Sequence, residues 1–232
     1  MIVAIVNGKG GVGKSTLTAQ LALRAAQECE RVAIVDADPQ GSLRLFYKLR
    51  QKEVGADELR NPELFEGDDE VLDAVDKLKI AGFDIIFIDT APLSVRGIRE
   101  ALEACTFALI PLKPSHADLA STNDTITLAN DADRPFGLVF NDVDQHQMTM
   151  AKNAQQYAVS ALGAHVFDTM VGHRVAFVRA QNTGLSVRQI EGSKGKGSNE
   201  IEALWAEVKT AIKAGVAKSG KAQGGKAKGG KS

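Results

Sequence analysis

An α/β fold, with a doubly wound, mostly parallel sheet flanked by helices, is what this 232-residue sequence predicts. Three observations carry that prediction. Short apolar runs recur along the chain and are continuous rather than alternating, as in strands covered on both faces. Stripes of apolar residues at three- and four-residue spacing lie between them. A glycine-rich stretch stands between the first run and the first stripe, where such sheets bind ligands at the carboxyl ends of their strands.

Taken in order, 2-IVAIV-6 is the first strand, and Leu17, Leu21 and Ala25 mark the helix after it. The run 31-RVAIVD-36 is the second strand. From Gln51 to Gly67 no period emerges, and a surface connection is expected. Val71, Leu72, Val75 and Leu78 form the next stripe, followed by strands at 83-FDIIFID-89 and 106-TFALIPL-112. Ser115 with Asp118 reads as a capping box opening a helix to about Asn130. The run 136-FGLVFN-141 is a further strand. Asn199 with Glu202 is expected to open a last helix, whose stripe is Ile201, Leu204, Trp205, Val208 and Ile212. Trp205 there reads as a core anchor. Cys29 and Cys105 are isolated and read as small core residues, not as a metal site or a disulfide. The folded domain is expected over 1–217. Over 218–232 a Gly/Lys-rich tail carries five lysines and no acid, and should be disordered. It suits either solubilisation or a nonspecific clamp on phosphates.

Gly8 to Ser15 matches G-x-x-x-x-G-K-[ST] in the strand–loop–helix setting that this motif demands. The glycines Gly8, Gly10, Gly11 and Gly13, with Val12, let successive backbone N–H groups turn inward and form an anion nest at a helix N-terminus. Lys14 can reach terminal phosphates, and the Ser15 hydroxyl can ligate Mg²⁺, with Thr16 completing the loop. Two carboxylate clusters end later strands, 36-DADPQGS-42 and 84-DIIFIDTAP-92. Alone, either could be a cap or a turn. Beside a phosphate loop, Asp36 and Asp89 can hold the Mg²⁺ shell and Asp38 can orient an attacking water. Lys9 is a second lysine that phosphate binding does not require.

Together KGGVGKST, DADPQGS, DIIFIDTAP and 110-IPLKPSHADLAS-121 resemble the ParA/MinD group of deviant Walker-type P-loop ATPases. The match is nearest to small ParA proteins without an N-terminal helix-turn-helix domain. The resemblance runs from Met1 to about Ile212. It implies ATP and Mg²⁺ as cofactors, slow partner-stimulated hydrolysis, and an ATP-sandwich homodimer. In that dimer Lys9 would cross to the partner's nucleotide, while the bland reading of Lys9 is a solvated loop cation. The resemblance also gives Asp38 a part in hydrolysis and places Asn141 at the adenine. It implies nonspecific DNA binding near the C-terminus, with Arg174, Arg179, Arg188, Lys194, Lys196, Lys209 and Lys213 as candidates on a flexible basic stretch, 188–198. A ParB-like adaptor and a role in partitioning or positioning cargo follow from the same likeness, as does a cytoplasmic, nucleoid-associated location. A stability or conjugation ATPase with another partner is the near alternative, and a metabolic ligase of the dethiobiotin synthetase type the distant one. No apolar run reaches the roughly 20 residues of a membrane span. No large apolar residue follows Val216, so a membrane-anchoring helix and a membrane partner are not expected.

Overall fold

The structure is a computed structural model describing residues 1–29, 31–67 and 70–215, and the tail expected over 218–232 lies outside them. The six strands are β1 (Ile2–Ile5), β2 (Val32–Ala37), β3 (Glu63–Glu66), β4 (Ile85–Thr90), β5 (Phe107–Leu112) and β6 (Phe136–Phe140). They form one sheet in the order β3-β2-β4-β1-β5-β6, with every pairing parallel. Both faces are covered, so β1, β2, β4, β5 and β6 are buried along their whole lengths. That double burial is why they read as unbroken apolar runs.

The helices are α1 (Lys14–Ala25), α2 (Ser42–Glu53), α3 (Ala56–Leu59), α4 (Val71–Ile80), α5 (Val95–Ala104), α6 (His116–Asp131), α7 (Met148–Leu162), α8 (Val175–Thr183), α9 (Val187–Glu191) and α10 (Lys196–Lys213). On one face α4 to α7 pack over Ala4, Val35, Ile88 and Ile110. On the other, α1, α2 and α8 to α10 pack over Ile5, Ile34, Phe87 and Leu109. Trp205 is fully buried in that second core with its ring 5.8 Å from Phe87, and Cys105 is buried in the first. β1 lies between β4 and β5, so the chain leaves β1 toward one side of the sheet and later crosses to the other. The loop after β1 therefore opens at a topological switch point.

Three expectations are corrected. The connection expected over 51–67 contains the end of α2, the short α3 and the edge strand β3. β3 has four residues and one neighbour, and charged Glu63 and Glu66 bound it, so no period could develop. Asn61 fastens it, accepting from the Val32 N–H (2.9 Å) and donating to the Cys29 carbonyl (2.9 Å). The last helix begins at Lys196 with Gly195 as its N-cap, not at Asn199. Its first turn is capped from outside, because the Glu191 carboxylate accepts the Ser198 N–H (2.8 Å), while Glu202 is engaged by Arg24. Finally, 188–198 is not a flexible stretch. Val187–Glu191 is helical behind a capping box of Ser186 and Gln189, and leads through a tight turn into α10.

Candidate functional site

The loop after β1 owes its shape to two glycines in the left-handed region, Gly11 (φ 71) and Gly13 (φ 90). Gly13 is the N-cap of α1 and offers no side chain to cap it, so the first N–H groups of the helix stay available to an anion. Lys14 is buried, and its ammonium donates to the carbonyls of Asn7 and Lys9 (3.0 Å each). Burial lowers its pKa, against the attraction of Asp89 and Asp38. Thr16 accepts a hydrogen bond from Gln181 of α8 (2.7 Å). A cavity of about 440 Å³ opens here, lined by Gly10, Gly11 and Gly13 to Thr16 together with Asp38, Gln40 and Gln181. A second, of about 220 Å³, shares Gly11, Gly13, Thr16 and Gln181 and runs on to Asn141, His173 and Phe177. The two form one cleft along the loop, of the size small-molecule sites have.

Asp36 and Asp89 are register partners on β2 and β4 and so project on the same face, toward α1. Both are fully buried. Burial, the largest influence, raises the Asp89 carboxyl to about 7, against hydrogen bonding from Ser15 and the charge of Lys14. Burial raises Asp36 as well. Thr18 sets its hydroxyl 3.3 Å from Asp89 Oδ1, and Asp36 Oδ1 accepts the Asp38 N–H (3.1 Å). The second oxygens, Asp36 Oδ2 and Asp89 Oδ2, are buried without a hydrogen-bond partner. Asp89, hydrogen-bonded by the Ser15 hydroxyl and with one oxygen unpartnered, fits a hydrated Mg²⁺ with Ser15, and Asp36, whose Oδ2 has Arg44 Nε 3.7 Å away, stands beside it on the sheet. Asp38 lies in the adjoining cavity, its Oδ1 accepting the Gln40 N–H (3.0 Å). Arg44 of α2 braces this loop by donating to the carbonyls of Asp38 (3.0 Å) and Pro39 (3.1 Å).

Asn141 is placed against the phosphate loop itself. Its amide donates to the Val12 carbonyl (2.8 Å), and a Cβ on Gly13 would stand 2.1 Å from its nitrogen. Lys9 is half-exposed, with its ammonium 2.5 Å from Asp118 Oδ1.

Several residues at the site were not singled out from sequence. Asn7 is fully buried; its amide donates to the Pro111 carbonyl (2.8 Å) and Thr122 Oγ1 (3.2 Å), and its Oδ1 accepts the Lys9 N–H (2.9 Å). Thr125 accepts the Gly8 N–H (3.2 Å). The one available signal was the spacing of Asp118, Thr122 and Thr125, three polar residues on a single helix face.

The DNA candidates are scattered. Arg174 forms a two-point pair with Glu200, and Lys209 pairs with Glu28 (2.6 Å) over the Trp205 ring. Arg179, Arg188, Lys194, Lys196 and Lys213 are exposed. Lys213 closes the helix that Lys196 opens, about 25 Å away at 1.5 Å per residue.

Residues 3–187 match a family model described as the CobQ/CobB/MinD/ParA nucleotide binding domain. The chain belongs to that family. Maintenance of carboxysome distribution protein A of Halothiobacillus neapolitanus is 31% identical over 214 residues, covering 88% of this chain and 94% of that protein. Chromosome partitioning protein ParA of Caulobacter vibrioides is 34% identical over 135 residues, 49% of this chain and 48% of that protein. The solved MinD cell division protein of Aquifex aeolicus superposes with a TM-score of 0.71 at 20% identity, over 90% of this chain and 96% of that one. The chain is thus a nucleotide-binding protein of the ParA/MinD family, and it shares the fold of the solved MinD protein. Among the described residues no helix is long and apolar enough to cross a membrane.

Proposed function

We propose that this chain is an ATP-gated positioning ATPase of the ParA type. ATP drives two copies together, the dimer holds DNA without sequence preference, and a ParB-like adaptor on the cargo stimulates slow hydrolysis and release. The observation that carries this reading is Lys9, a half-exposed cation of the phosphate loop that the cradle does not use, because the Lys14 ammonium already sits against the loop carbonyls.

The residues would share the work as follows. Lys14 exchanges the carbonyls of Asn7 and Lys9 for the terminal phosphates, keeping its ammonium paired throughout. Ser15, Asp36 and Asp89 would hold Mg²⁺, which when bound would neutralise phosphate charge. Asp38, one loop away, orients the attacking water. Lys9 of each copy reaches the other's phosphates and stabilises transferred charge as an arginine finger does. Asn141 lines the far cavity, where the base would lie.

One relative is named for carboxysome distribution and another for chromosome partitioning, so the cargo varies within the group. What they would share with this chain is the gated grip on a surface. A gel shift with nonspecific DNA tests it: the ATP-loaded protein should bind and the ADP form should not. Equal binding by the two forms would refute the reading.

A further inference from the structure

We propose that Asp118 is a positioning residue that holds Lys9 within its own subunit and thereby sets the threshold for dimer formation. The proposal rests on the reading above, in which Lys9 must cross to a partner.

The α6 helix carries Asp118, Thr122 and Thr125 on the face toward the phosphate loop, all of them buried. Thr122 holds Asn7, Thr125 holds the Gly8 N–H, and Asp118 meets the Lys9 ammonium, so three consecutive loop residues are each engaged by the same helix. A capping role explains only half of Asp118. Its backbone N–H donates to Ser115 Oγ (3.1 Å), and the Ser115 hydroxyl donates to its Oδ2. The other oxygen, Oδ1, is buried and has the Lys9 ammonium, 2.5 Å away, as its counter-charge. The Asp118 side chain is 7% exposed and that of Lys9 37%, so the carboxylate depends on the pair more than the lysine does.

One ammonium cannot serve both Asp118 and a nucleotide on another chain. When Lys9 leaves, a nearly buried carboxylate loses its counter-charge, which opposes the departure. Dimerisation proceeds when phosphate contacts outweigh that cost, so the pair discriminates against copies that meet without ATP. Neutralising Asp118 removes the penalty from the dimer and the attraction from the monomer.

Asp118→Asn keeps the size and most of the cap, whereas Ser115→Ala removes the cap and keeps the charge. With a nonhydrolysable ATP analogue, Asp118→Asn should tighten the dimer about tenfold by sedimentation, equivalent to about 1.4 kcal/mol. Ser115→Ala should not, and Asp118→Glu should restore the wild-type constant. An unchanged dimer in Asp118→Asn, or an equal gain in Ser115→Ala, overturns the proposal. A second measurement needs no folded variant: in the nucleotide-free wild type, amine acylation read by mass spectrometry should be slower at Lys9 than at exposed Lys48. Equal rates also overturn it. Lys9→Ala separates the two readings. If that variant still forms the ATP dimer, the crossing role of Lys9 fails. If it loses the dimer while Asp118→Asn changes nothing, Asp118 alone fails.

Discussion

At the scale of single residues the site is governed by close approach. Gly13 combines φ 90 with a neighbour, the Asn141 amide, 2.1 Å from where a Cβ would stand. Gly13→Ala should therefore abolish nucleotide binding by isothermal titration while leaving a folded protein, because both the strain and the clash fall in the cradle. Retained binding would show that the loop can relax. Asn7→Ala acts on the same loop from beneath. It leaves the Lys9 N–H and the Pro111 carbonyl without their partner in a dry setting, and should cost about 1–3 kcal/mol in denaturant unfolding and weaken ATP binding. The two residues differ in how legible they were. Gly13 belongs to a motif whose whole logic fits within a short stretch of chain, so sequence exposes it. Asn7 bonds to Pro111 and Thr122, which lie far along the chain, and a polar residue after a strand gives no hint of such partners. Asp118 is the intermediate case, since its cap was visible locally and its pairing with Lys9 was not.

At the scale of elements, the docking of α10 on α1 is the clearest interaction that ionisation can probe. Glu28, just past α1, accepts from Lys209 (2.6 Å) and the Trp205 indole N–H (3.1 Å), and pairs with Arg24 (2.6 Å). Hydrogen bonding from Lys209 is the largest influence, and the Glu28 carboxyl is lowered from 4.5 to about 2. A carboxyl lowered on folding contributes stability above its unfolded pKa and loses it as pH falls toward the folded one. Glu28→Gln should thus cost about 1 kcal/mol at pH 7, a small value because the group is partly exposed and screened by solvent. The gap from wild type should hold down to about pH 5 and close near pH 2 in unfolding titrations. A gap independent of pH would assign the loss to packing instead. Element legibility follows burial in the same way. β1, β2, β4, β5 and β6 are buried along their lengths and announce themselves as apolar runs. β3, an edge strand between charged residues, does not, and the start of α10 was obscured because its cap comes from Glu191 in another helix.

At the scale of the whole molecule, the question is which cations face a long polyanion and which only hold the fold. Arg174 and Lys209 are bound to Glu200 and Glu28, and each of these pairs joins different parts of the chain. Lys194 and Lys196 are exposed at the turn into α10, and Arg188 is exposed on α9 just before it. A cation already paired in the free protein has little left to release counterions from a phosphate, whereas an unsatisfied one contributes to the salt dependence in full. If the ATP-loaded dimer binds DNA as proposed, replacing Lys194 and Lys196 by Gln should weaken binding across all sequences. It should also lower the slope of log affinity against log salt by about one for each phosphate no longer neutralised. Arg174→Gln and Lys209→Gln should instead lower the unfolding midpoint and leave that slope unchanged. The reverse pattern, with the slope falling in the paired set and holding in the exposed one, would move the DNA contacts away from the start of α10 and onto Arg174 and Lys209, which Glu200 and Glu28 now neutralise.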